Sequence, residues 1–232
     1  MIKFFKNFRK TLINEGKTTK YFKYAIGEIV LVVIGILIAL QINNWNENRL
    51  TKIVKSNYLK QIKAELILDV TNFKKDIRSI KTYTEYLNKV SEGNYNNIDL
   101  SLLLNYLCRN LEPGNCGISF NKMLESNTFE EIDGETIKEK LQTYYLTNCA
   151  EYNNLTAFHS KFISENIEGP LLLILNHKKG FLVDPKEVIE QLEVGKLKSM
   201  INWQISYLNY YIPSINKNIS LAEELIQLIN HD

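Results

Sequence analysis

The chain has 232 residues, 45% of them apolar and 23% charged, with a formal charge of +2. Such a length and mix suit one domain with a core plus an appendage, and they exclude wholesale disorder. Four Pro and ten Gly leave few chain breakers, which disfavours a sandwich or barrel with many turns, so the expected class is all-α.

Residues 1–24 form the first expected segment. Phe4, Phe5, Phe8, Leu12 and Ile13 recur at helical spacing, with Lys3, Lys6, Arg9 and Lys10 between them. A helix with rings on one side and cations on the other lies flat in a headgroup layer, so these four cations are candidate membrane-surface contacts. A basic tail without structure is the alternative. Residues 1–43 hold seven Lys/Arg against Glu15 and Glu28, a net charge of +5, while the remainder carries −3. The lipid bilayer is therefore the expected partner, at about 1 kcal/mol per cation near an anionic surface. Nucleic acid is not, because the large domain has no basic stripe.

Residues 25–42 read AIGEIVLVVIGILIALQI, and their length as a helix is roughly 27 Å, close to the thickness of a bilayer's hydrocarbon core. A buried core helix has the same composition. Tyr21, Phe22 and Tyr24 before the run, Trp45 after it, and Lys residues beyond the first group instead match the aromatic belts and cationic flanks of a transmembrane helix. A cleavable signal peptide shares the layout, but Gln41, Ile42, Asn43, Asn44 and Trp45 offer no small-x-small cleavage site, so an uncleaved signal anchor fits better. Seven cations precede the run and five follow from Arg49 to Lys63, which points the N-terminus to the cytoplasm and the large domain outward. Gly35 and Ala39 have the small-xxx-small spacing that lets helices approach. Glu28, with those two residues, is a candidate helix–helix contact; pairing with Lys23 or with lipid amines at the interface is the plainer reading.

Residues 43–232 are expected to form a helical bundle domain. From Asn43 to Val90 there is no Gly or Pro, and Leu59, Ile62, Leu66, Val70, Phe73, Ile77, Ile80, Tyr83, Leu87 and Val90 step by three or four. The transmembrane helix is thus expected to continue into a long amphipathic one. Residues 91–98 read as a loop, Asp99 as the cap of a short helix, 111–117 as a turn, and 119–126 as another short helix. Residues 137–166 should bury Leu141, Tyr144, Tyr145, Cys149, Tyr152, Leu155 and Phe158, with residues 171–175 extending that core. Asp184 before Pro185 is a helix start. A final segment from Lys196 to Ile229 carries a further apolar stripe that Pro213 should kink or split. Three long amphipathic helices predict an up-and-down helical bundle, with coiled-coil character in the long helix.

Chemistry is sought in three places. Four acids gather in TFEEIDGE at 128–135, where Asp133 and Glu135 suit a helix N-terminus better than a metal or acid–base site. Cys108 and Cys116 flank Pro113 and Gly114, which can turn the chain back, so a Cys108–Cys116 disulfide with Cys149 as a buried thiol is expected in an oxidising compartment. No CxxC occurs. His159, His177 and His231 stand in no metal-ligand spacing, and no GxSxG, Walker or GxGxxG motif is present. No catalytic residue, metal or cofactor is assigned, and an enzyme is not expected.

The string KTTKYFKYAIGEIVLVVIGILIALQINNWNENR at 17–49 resembles the N-terminal signature of a family of uncharacterised single-pass membrane proteins from Gram-negative bacteria, a domain of unknown function. The stretch MLESNTFEEIDGETIKEKLQTYY at 123–145 is similar, more loosely, to that family's second recurring segment. The resemblance implies a bitopic, mainly helical protein of the bacterial inner membrane. It carries over no catalytic residue, cofactor or substrate. The expected role is a membrane-anchored helical interaction or sensing module. The alternative is a structural subunit of a homo-oligomeric membrane assembly.

Overall fold

A computed structural model describes residues 18–95, 98–176 and 183–231, and all regular structure among them is helical. The chain divides into two units, Met1–Val54 and Lys55–Asp232. Lys3, Lys6, Arg9 and Lys10 lie outside the described residues.

Helix α1, Thr18–Ser91, contributes to both units. In the first unit its apolar side chains are exposed all round, from Ile26 to Ile42. An 18-residue window here has a mean hydropathy of 2.6 with none of it buried, so one helix is long and apolar enough to cross a membrane. Within the second unit the same helix follows the expected stripe. Leu59, Ile62, Leu66, Val70, Phe73, Ile80, Leu87 and Val90 are buried, and Ile77 and Tyr83 are half-buried.

The connection after α1 carries α2 (Leu100–Leu107) and α3 (Ile118–Glu125). Asp99 caps α2 as expected, with Leu102 N–H donating to its carboxylate at 3.0 Å. The turn expected at 111–117 does not form. Instead the segment descends along the next long element, where Asn110 donates to the Thr156 carbonyl, Gly114 N–H donates to Asn153, and Cys116 bonds Cys149. Gly117 then caps α3 at φ 72°, and a Cβ there would stand 2.6 Å from the Tyr145 ring.

From Glu135 to Ile174 the chain is helical end to end: α4 (Glu135–Gln142), a π-helical turn (Thr143–Asn148), α5 (Cys149–Ile163), a second π turn (Ser164–Glu168) and α6 (Gly169–Ile174). Glu135 occupies the first turn of α4, but Asp133 is no cap. Gly134 takes the cap position, and Asp133 accepts from Lys55 at 2.6 Å. Phe158 is exposed, against expectation, because steps of three from Tyr152 to Leu155 to Phe158 rotate off the buried face. The steps taken are four, three and four, burying Thr156, His159 and Ile163. Helix α7 (Pro185–Glu193) starts at Asp184 as expected. Helix α8 (Lys196–His231) passes Pro213 unsplit.

Cross-links fix the directions. Ser91, Lys74 and Lys63 on α1 meet Asn202, Glu223 and Asn230 on α8, so α1 and α8 are antiparallel. Lys140–Glu224 and Glu151–Lys217 make α8 antiparallel to the 135–174 element as well. Tyr144 reaches Asp69 and Tyr152 packs on Phe73, so the first two long elements run parallel. The bundle therefore alternates at α8, while the descending connection returns the chain to the start between the other two.

Candidate functional site

The buried face of α1 repeats on a seven-residue period. Leu59, Leu66, Phe73, Ile80 and Leu87 mark one series, and Ile62, Asp69, Asp76, Tyr83 and Val90 mark the other. Two carboxylates thus stand at core positions, where an ionised side chain is costly. Each meets a tyrosine from the 135–174 element. The Tyr144 hydroxyl donates to Asp69 Oδ2 at 2.9 Å. Tyr152 lies along the same cavity as Asp76 and donates its hydroxyl to the Glu112 carbonyl at 3.4 Å.

One turn before Asp69, Glu65 Oε1 accepts from Ser119 N–H at 3.2 Å and from its hydroxyl at 2.6 Å. A carboxylate from another helix thereby satisfies the N-terminus of α3, whose own cap residue is a glycine with no side chain to do so. A cavity of about 350 Å³ opens along this seam, walled by Glu65, Asp69, Asp76, Glu112, Phe73 and Tyr152.

Burial pushes the Asp69 carboxyl up to about 6; the Tyr144 hydrogen bond opposes the shift and the Glu65 charge adds to it. Asp76 is also raised, by burial first, with Lys75 and Tyr152 opposing. Tyr144, Tyr145 and Tyr152 all ionise above the ordinary phenol range, burial being the main cause. They remain hydrogen-bond donors at neutral pH. Glu65 Oε2, the Tyr145 hydroxyl and both polar atoms of Asn148 are buried here without a hydrogen-bond partner. The seam can take up a proton near pH 6. Among the described residues no three His, Cys, Asp or Glu side chains are grouped to hold a metal ion.

A second buried polar cluster is more completely bonded. His159 is fully buried, with Nε2 2.9 Å from Gln204 Oε1. Gln204 Nε2 donates to the carbonyls of Tyr106 and Arg109, so its oxygen must accept and the imidazole hydrogen sits on Nε2. That leaves Nδ1 as an acceptor, and the single Tyr211 hydroxyl hydrogen lies between it, at 3.1 Å, and Asn110 Oδ1, at 3.0 Å, so one of these two acceptors goes without a donor. Burial holds His159 below the usual histidine range, opposed by the Gln204 bond. The cluster fastens the connection, α5 and α8 together.

The residues singled out by sequence are mostly elsewhere. Glu28 is half-exposed and Gly35 and Ala39 are exposed on α1, with nothing within 4 Å of a Cβ built on Gly35. The expected Cys108–Cys116 pairing is wrong: Cys116 bonds Cys149, with Cα atoms 5.7 Å apart, and Cys108 is the free thiol. The segment after Cys108 runs on along α5 instead of turning back, which carries Cys116 to Cys149. Cys108 stays half-buried at the end of α2, pushed up to about 11 by burial and then by the Glu168 charge. Asp69 and Asp76 were legible as acids on a core heptad, but Val70 and Ile77 beside them supplied an apolar stripe that hid the pattern.

The class defined by these features is an all-α protein with one exposed apolar helix and a disulfide-linked bundle. A family of unknown function, DUF6090, matches residues 28–101, from Glu28 through the rest of α1 and into α2. Residues 123–145 lie beyond that match. No curated protein and no solved structure matches the chain.

Proposed function

We propose that the protein is a membrane-anchored helical interaction or sensing module of the bacterial inner membrane, its N-terminus cytoplasmic and its bundle periplasmic. The supporting observation is the apolar stretch of α1 at 25–42, whose large apolar side chains from Ile26 to Ile42 are exposed among the described residues. In water that surface is unfavourable by roughly 25 cal/mol for each Å², and a bilayer removes the cost. The Cys116–Cys149 disulfide supports the side assigned to the bundle, since such bonds persist in oxidising compartments. The Asp69 seam supplies the sensing element, a carboxylate whose charge changes near pH 6.

The test combines alkaline carbonate extraction with reporter fusions after Asp232. The reading requires the chain to stay in the membrane pellet and a periplasmic alkaline phosphatase fusion to be active. Release into the carbonate supernatant overturns the anchoring, and a fluorescent cytoplasmic fusion overturns the orientation. A second reading, a structural subunit of a homo-oligomeric assembly, is favoured by the open surface over Gly35. Monomer alone after cross-linking in native membranes removes it.

A further inference from the structure

The cavity on the Asp69 seam lies within the second unit, and its volume of about 350 Å³ falls in the range of small-molecule sites, about 300–1000 Å³. Among the described residues its walls carry four carboxylates, Glu65, Asp69, Asp76 and Glu112, against one cation, the exposed Lys75. None of the four acids forms an ion pair among the described residues. A low-dielectric cleft lined by one sign of charge concentrates the field and draws the opposite sign into it.

Tyr145 points to the same kind of occupant independently of the acids. Its side chain is 4% exposed and its hydroxyl has no hydrogen-bond partner. The charges that bear on that hydroxyl are those of Glu65 and Asp69, so it is directed at the two carboxylates that begin the cavity. The π-helical turn at Thr143–Asn148 places it there, because the extra residue in the turn brings Tyr144 and Tyr145 inward together. Tyr144 engages one oxygen of Asp69, and Glu65 Oε2 is buried and unpartnered. Three acceptors therefore gather at this end: Glu65 Oε2, the second oxygen of Asp69 and the Tyr145 hydroxyl oxygen. An ammonium group brings three N–H donors and no acceptor, and the carboxylates keep further lone pairs for the phenol hydrogen.

The spacing of the acids sets the shape of the ligand. At helical rise Asp69 stands about 6 Å beyond Glu65, and Asp76 about 10.5 Å beyond Asp69. A metal ion, with its ligand oxygens at about 2.0–2.6 Å, reaches one end only. Phe73, four residues after Asp69 and three before Asp76, lies between them on the same helix face, with its ring edge-on to Tyr152 at 5.2 Å. Leu68 continues this apolar strip along the cavity wall. The seam thus alternates anionic, apolar and anionic, which is the complement of a chain whose ammonium groups are separated by methylenes.

We propose that this cavity binds a linear aliphatic oligoamine, one ammonium seated at Glu65, Asp69 and Tyr145, a second at Asp76 and Glu112, and the methylenes between them on Phe73 and Leu68. The proposal rests on the sensing reading of this seam and gives that reading its ligand class; it does not depend on the anchor or the orientation.

Calorimetric titration of spermidine into the full-length chain in dodecyl maltoside, a non-ionic detergent, tests it. One saturable site per chain is expected. Asp69→Asn and Asp76→Asn should each weaken it roughly tenfold or more, with retained cooperative urea unfolding showing that both variants fold. Glu85→Gln, exposed on α1 outside the cavity, should stay within about twofold of wild type, and butylamine, with one ammonium, should bind roughly tenfold more weakly than spermidine. No saturable site, or an affinity unchanged in both Asp variants, overturns the proposal. Magnesium chloride that displaces spermidine as well as an equal concentration of unlabelled spermidine overturns it too, assigning the seam to a divalent cation. If spermidine fails to bind while Asp69→Asn still flattens the pH dependence of stability, the ligand falls and the sensing reading stands. A chain that binds spermidine but is released by carbonate keeps the ligand and loses the anchor.

Discussion

Two polar groups of residues are buried in the same bundle, and they differ in how completely they are bonded. Around His159, the imidazole, Gln204, Tyr211 and Asn110 hold one another and three backbone carbonyls, one acceptor short of a donor because a single Tyr211 hydrogen faces both Nδ1 and Asn110. Along the Asp69 seam the shortfall is larger, since Glu65, Tyr145 and Asn148 keep buried polar atoms without partners and the carboxylates crowd one another. A satisfied group rigidifies a core, whereas a partly satisfied one remains responsive to protons and ligands. The difference marks the first as fastening and the second as the site.

The largest test removes the fastening. His159→Leu leaves Gln204 and Tyr211 without partners at the centre of the bundle, and should cost about 4 kcal/mol in urea unfolding. A cost below 1 kcal/mol would put the two groups on the same footing. Reducing Cys116–Cys149, which closes a 33-residue separation, should cost about 3 kcal/mol, read as a drop in Tm under reductant. On the seam side, Gly117→Ala should cost about 2 kcal/mol, because its left-handed φ and the 2.6 Å approach of Tyr145 both resist a methyl group.

The smallest effect is the most discriminating. Asp69 binds its proton more tightly folded than unfolded, so its contribution is fully present below pH 4 and is lost as pH rises through about 6, by about 2 kcal/mol. Asp69→Asn should flatten that slope and match or exceed the wild-type stability at pH 8. His159 has the opposite sign. Its folded pKa is lowered, so its contribution is present above the ordinary value of 6.5 and is lost as pH falls towards the folded value. Urea midpoints across pH 4–8 separate the two, and an Asp69→Asn slope equal to wild type would refute the seam's role.

Much of the fold was legible because apolar periodicity does not depend on context. The α1 stripe was readable from Leu59 to Val90, and the apolar 25–42 stretch from composition alone. What was missed follows one cause: polar residues at core positions carry no apolar signal. Gln204, Tyr211 and Asn218 recur every seventh residue on the buried face of α8 between Ile201, Leu208, Ile215 and Ala222, and the half-buried Asp69 and Asp76 stand seven residues apart on α1. The disulfide escaped for a different reason. Pro113 and Gly114 permit a turn without enforcing one, and only the anchoring of Gly114 on Asn153 shows that the chain runs on. Phe158 was assigned inward by local spacing and is exposed, so the residue that misled the phase of α5 also marks its outer face.

The antiparallel pairing of α1 with α8, the last helix made, sets an order of events during synthesis. Lys63 meets Asn230 across 167 residues of chain, and at a translation rate of about 5–20 residues per second the α1 stripe waits roughly ten to thirty seconds for its final cover. Through that interval Leu59, Ile62 and Leu66 have only the residues of α3 and the 135–174 element, such as Phe120, Met123 and Leu141, to pack against. A ribosome that stops before α8 therefore releases an α1 stripe lacking the cover of Ala222 and Leu225.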